Sequence, residues 1–202
     1  RASNAGHCLF TGIASHERAH RVVDALLAEH SFSGWGIRTL DATSARYNPI
    51  SYHNGSVWPH DNAIIAMGMS RYGHKQACAR VLSALYEASL HFDLRRMPEL
   101  FCGFRPRPLE GPTHYPVACA PQAWAAGSVF LLLQACLGLE IDALRGQIVF
   151  DRPILPPVIE RMTIRRLQVG DARVDLVLEN HAHDVGVHLL GRDGEVGVVI
   201  TK

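Results

Sequence analysis

The sequence predicts a mainly α chain whose last third turns to β: a helical segment of the α/α-barrel kind, then a small antiparallel sheet or half-sandwich. Three observations predict it. Apolar residues recur at helical spacing through the first two thirds. β-branched residues with partial alternation, broken by turn residues, fill the rest. The order helix, long loop, helix, short turn, helix is the rhythm that gathers long loops on one rim of such a barrel. The expected division is a barrel segment over 1–145 and a β-rich tail over 146–202.

The elements follow in order. Ser15 is a candidate N-cap for a helix over residues 16–29, with Val22, Val23, Leu26 and Leu27 on one face. A second helix is predicted over 61–72, closed by Gly73 as C-cap. The third spans 74–92, with Cys78, Val81, Leu82, Leu85 and Leu90 as its stripe. The fourth, 121–139, holds "AWAAGSVFLLLQACLGL", with Pro121 expected in its first turn. Apolar on every side, it is expected to be buried on every side. Long loops at 31–60 and 93–120 each precede a helix, and loops of that length in a compact domain are usually functional. Strands are predicted at 147–150, 160–168, 172–179, 184–190 and 196–201, after a rigid connector holding Pro153, Pro156 and Pro157.

Composition narrows the function. With 48% hydrophobic and 19% charged residues, the 202-residue chain has a globular make-up. A net charge of +1 gives no electrostatic reason to expect nucleic acid or an anionic membrane as partner. Arg161, Arg165 and Arg166 read as a solvated strand face. Five widely spaced cysteines without a CxxC pair support neither a zinc nor a dithiol motif and fit a reducing cytoplasm. No apolar run is long enough to cross a bilayer. "RASNAGHCLFTGIA" opens without a start methionine on apolar, site-like sequence, which is expected of a chain entered within a domain.

Two carboxylates stand out. Glu99 in "RRMPELFCGF" is set in apolar sequence, where desolvation would raise its pKa and suit it to acid–base work; pairing with Arg95, Arg96 or Arg105 is the alternative. Asp61, in "PHDNA", reads either as a helix N-cap or as a ligand contact. Trp35, Trp58 and Trp124 lie in or beside the two long loops with Tyr47, Tyr52 and Tyr115. They can be packing anchors, or flat faces for a sugar with polar groups to read its hydroxyls. His53, His60 and His114 lack metal-ligand spacing, and no metal or other cofactor is expected; His181 and His183 in "NHAH" read as a solvated turn.

Five motifs in order, "NAGHCLFTGIA", "FSGWGIRTL", "YNPISYHNGSVWPHDNAI", "RMPELFCGF" and "YPVACAPQAWAAGS", resemble the bacterial amylo-alpha-1,6-glucosidase family, glycogen-debranching-enzyme-like proteins. The resemblance covers the whole chain as the C-terminal part of a longer member. It implies an (α/α)6 six-hairpin barrel and inverting hydrolysis of α-linked glucans or oligosaccharides by two carboxyls. It makes Glu99 the general base, and Tyr52, His53, Asn54, Trp58, His60 and Asp61 the residues holding the sugar. Gln122 and Trp124 would line the pocket from the fourth helix, and Trp35 and Arg38 from the first loop. The family's general acid lies in an upstream motif ending in an Arg-Asp pair, a segment absent here, so the chain alone is expected to be inactive. A half-barrel would also expose apolar helix faces, implying self-association. Rival readings are a non-catalytic carbohydrate-binding or structural helical domain, and a rhamnosidase- or trehalase-like barrel.

Overall fold

The computed structural model describes residues 1–182 and 184–202. Among these, five α-helices precede the strands: α1 (Asn4–Phe10), α2 (His16–Leu27), α3 (Pro59–Arg71), α4 (Lys75–Ser89) and α5 (Ala123–Leu137). Six strands follow: β1 (Leu139–Asp142), β2 (Gln147–Asp151), β3 (Arg161–Val169), β4 (Ala172–Asn180), β5 (Val185–Asp193) and β6 (Gly197–Thr201). The result is a mainly helical segment with a β tail.

Local chemistry accounts for most boundaries. Ser15 accepts the Arg18 amide at 3.4 Å and opens α2, whose Ala19, Val23 and Leu26 are buried. Pro59 stands at the first position of α3, where its missing N–H costs no hydrogen bond. Gly73, at a φ of +83°, stops that helix and sends its amide to the Ser70 carbonyl at 2.9 Å. At the centre, α3 packs against α1, α4 and α5. Ile65, Met69, Val81, Leu85, Ala135 and Cys136 form much of this core.

Several expectations change. Helix α1 was not foreseen: seven residues carry too little periodicity to read, and packing on α3 secures it. Pro121 precedes α5 instead of lying in its first turn, because Gln122 takes an extended backbone and the helix begins at Ala123. Nor is α5 buried all round; Trp124, Val129 and Phe130 are 49%, 47% and 76% exposed. Asp61 does not cap α3, since Trp58 occupies that position without a side-chain bond and Asp61 lies inside the first turn.

The tail forms two three-stranded sheets rather than one antiparallel sheet. In one, β2 pairs antiparallel with β1 and parallel with β6; the other is an antiparallel meander of β3, β4 and β5. The final strand leaves the meander and returns to β2, which makes the parallel pair. Strand β1, unforeseen, falls before the expected division at 145. Ile148, Phe150, Val174, Leu176 and Leu178 fill the core of the tail, and the three arginines of β3 are exposed.

Candidate active site

Short backbone bridges bring the two long loops together. Val57 and Phe101, both fully buried, exchange backbone hydrogen bonds at 2.9 and 3.0 Å. Arg38 and His114 extend this ladder on either side. Gly103 permits the approach: a Cβ there would stand 1.7 Å from the Gly55 carbonyl oxygen, so no side chain fits. The loop carrying Tyr52 is thereby laid against the loop carrying Glu99.

Glu99 is buried, and its carboxylate is held by donors. The Tyr52 hydroxyl donates to Oε1 at 2.6 Å, and the Cys119 amide to Oε2 at 3.2 Å. The Glu99 amide in turn donates to the Cys119 carbonyl at 2.8 Å. The expected rise in pKa is reversed. The Tyr52 hydrogen bond leads, with Cys119 and Gln122 assisting, and together they outweigh desolvation and hold Glu99 below the usual carboxylate range. The same bond pushes the Tyr52 phenol up to about 12, so it remains a donor. Arg95, Arg96 and Arg105 form no ion pair with Glu99 among the described residues; Arg105 pairs with Glu29.

Asp61, in the first turn of α3, accepts a 2.6 Å hydrogen bond at Oδ1 from His7 Nε2 of α1. That bond raises the His7 pKa above 6.5 despite some desolvation. Beside it, His60 stacks on Trp124 with ring centres 3.8 Å apart and planes 13° apart. Burial lowers the pKa of His60 and favours its neutral form. Trp58 is buried and anchored, its indole donating to Ser56 Oγ at 2.9 Å and the Tyr52 carbonyl at 3.1 Å. Tyr52 sets its ring edge against those of Trp58 and His53.

One cleft gathers Tyr52, His53, Trp58, His60, Asp61, Glu99 and Trp124, together with Ser3, Asn4 and Thr39. Asp61 Oδ2, His60 Nδ1 and Gln122 Oε1 are buried there or beside Glu99 without a hydrogen-bond partner. An unpaired buried polar atom costs about 1–3 kcal/mol, and three such atoms lie in or beside this one cleft. The arrangement offers an ionised base, flat apolar walls and acceptor atoms.

The other sequence candidates lie elsewhere. Trp35 is buried in the helical core against His91. Arg38 is buried too, donating to the Gly103, Glu29 and His30 carbonyls, so its charge fastens loops. Asn54 is exposed and outside the cleft. The structure adds His7, whose motif "NAGHCLF" was legible but whose partner lies 54 residues away. It also adds Asn62, which ties the first loop to α3 through Ile37. His181 is exposed after β4, and His183 lies outside the described residues.

Residues 2–95 match the family model described as the mannosylglycerate hydrolase MGH1-like glycoside hydrolase domain. Two curated proteins of Selaginella moellendorffii, mannosylglycerate hydrolases MGH1 and MGH2, are each 32% identical over 87 residues, covering 43% of this chain and 18% of theirs. The chain thus spans under a fifth of the length of these relatives. Among solved structures, an uncharacterized conserved protein from Thermus thermophilus aligns with a TM-score of 0.49 at 19% identity. A GH63 mannosylglycerate hydrolase from the same organism, in complex with glucose, aligns at 0.48 and 21%. Each alignment covers 65% of this chain and 30% of the other. By the family model and the curated relatives, the chain is similar to glycoside hydrolase domains, and what they name is mannosylglycerate hydrolase rather than amylo-alpha-1,6-glucosidase.

Proposed function

We propose that this sequence supplies the base-bearing part of an inverting glycoside hydrolase, within an (α/α)6 barrel, that acts on α-linked glucans or oligosaccharides of the debranching type. The observation that carries the reading is Glu99, kept ionised by Tyr52 and Cys119 at a cleft lined by aromatic rings and unpartnered polar atoms. A base must be deprotonated before it can act, and hydrogen bonds to the charged form secure that. Glu99 takes a proton from a water whose oxygen attacks the anomeric carbon, on the face opposite the leaving group. The bond to the leaving oxygen breaks, and that oxygen takes a proton from a second carboxyl, set about 6.5–9.5 Å from the base in inverting enzymes. Asp61 is not assigned that role, because it accepts from His7. Trp58, Trp124 and His60 give the sugar stacking surface, and Asp61 and Gln122 offer acceptors to its hydroxyls.

The curated relatives favour a second substrate, mannosylglycerate. Its glycerate carboxylate calls for a cation, and among the described residues lining the cleft there is no arginine or lysine. A neutral sugar suits this lining better. The test is to assay the full-length polypeptide carrying this sequence on α-1,6-branched and linear α-glucosides and on mannosylglycerate, with early-time proton NMR of the product. Turnover of a neutral α-glucoside with release of the β-anomer is expected. Release of the α-anomer, or preference for mannosylglycerate, would overturn the reading. Saturable binding without turnover on any sugar would leave only the binding-module alternative.

A further inference from the structure

The outer face of the β3–β4–β5 sheet carries a polar cluster unconnected to the cleft. Glu179 on β4, His181 just after it and His188 on β5 each present a ligand atom, all within 4.8 Å of one another. The register explains the meeting. Glu179 lies opposite Gly186 and His188 opposite Val177, so strand alternation puts these side chains on one face. His181 is set by a turn in which its amide donates to the Asp184 carbonyl at 2.8 Å. Gly186 forms the floor. A Cβ at that position would stand 2.7 Å from His181 Nε2 and 3.0 Å from His188 Nε2, so both ring nitrogens converge over a residue without a side chain.

We propose that Glu179, His181 and His188 form a surface site for a divalent transition cation of the zinc type. Two imidazoles and one carboxylate suit zinc, nickel or copper, whereas calcium and magnesium prefer oxygen donors alone. Bonds of about 2.0–2.2 Å bring tetrahedral donors to about 3.4 Å from one another. Small side-chain rotations close the present spacing, and the two histidines are exposed and free to make them. Three protein donors leave the fourth tetrahedral position to water. One competitor is already in place: Arg161 Nε lies 3.3 Å from Glu179 Oε1. A bound ion would join the end of β4 to β5 and add to the stability of the tail.

Calorimetric titration of Zn²⁺ into the chain tests this, with the absorption spectrum of Co²⁺ as a second readout of donor geometry. One equivalent should bind, and the melting temperature should rise. His181→Ala and His188→Ala should each weaken binding by roughly tenfold or more, the range seen when even the support of a ligand is lost. Gly186→Ala should weaken it by filling the floor, and Arg161→Ala should tighten it about two- to fivefold by freeing Glu179. Circular dichroism of each variant checks that it folds. Absence of binding in the wild type, or affinity unchanged by both histidine substitutions, overturns the site.

Discussion

The helical segment and the sheet tail both bury aliphatic cores, yet they treat their polar groups in opposite ways. Among the described residues, the three buried side-chain atoms without a partner, on His60, Asp61 and Gln122, all belong to the helical segment and lie around the Glu99 cleft. In the tail, charged groups sit on exposed strand faces and pair where they meet, as Arg161 does with Glu179 and Lys202 with Asp184. Folding alone favours the second pattern, because unpaired buried polar atoms cost free energy. That cost is concentrated around one cleft of the helical segment, which is why the proposed function places the sugar there.

The comparison can be broken most forcefully at the cores. Phe101→Ala removes a fully buried ring from the bridge between the two loops. It should cost about 3–5 kcal/mol in denaturant unfolding and abolish maltooligosaccharide binding. Ile148→Ala in the tail should cost roughly 2–5 kcal/mol, yet leave sugar affinity nearly unchanged at temperatures where the variant stays folded. Equal loss of binding in both variants would erase the functional distinction between the two regions.

Smaller changes sharpen it within the cleft. Tyr52→Phe removes the leading donor to Glu99, whose pKa should rise toward its ordinary 4.5. The sign follows from the depressed native value. The stability that the ionised carboxylate contributes is present above 4.5 and is lost as pH falls through the lower folded value. The acid limb of the rate profile in Tyr52→Phe should therefore move to higher pH. Asp61→Asn should be milder still, returning the His7 titration toward 6.5 when followed by NMR. For this raised pKa the linkage is reversed: the pair's contribution is complete below 6.5 and fades as pH rises through the folded value.

Much of the fold was legible because it rests on local chemistry. Ser15, Gly73 and the Gly170-Asp171 turn bound elements where their side chains and backbone freedom dictate. Helix α1 and the β2–β6 pair were illegible because distant packing and chain return produce them, and neither leaves a local period. The same division runs through the site. Tyr52, Trp58, His60 and Glu99 could be picked out by composition, and the structure brings them to one cleft. Trp35 and Arg38 carry the same kinds of side chain and lie in the interior, since residue type alone does not give direction. The direction of the Glu99 pKa was not legible, because desolvation acts as expected but the donor that outweighs it, Tyr52, lies 47 residues away.

The central claim, that Glu99 is an ionised base acting on water, is tested most directly by Glu99→Gln in the full-length polypeptide carrying this sequence. The amide keeps the shape of the side chain and removes its basicity. Turnover should fall by about 10²–10⁴-fold or more while the oligosaccharide dissociation constant from calorimetry stays near the wild-type value. Near-normal turnover in that variant would contradict the assignment.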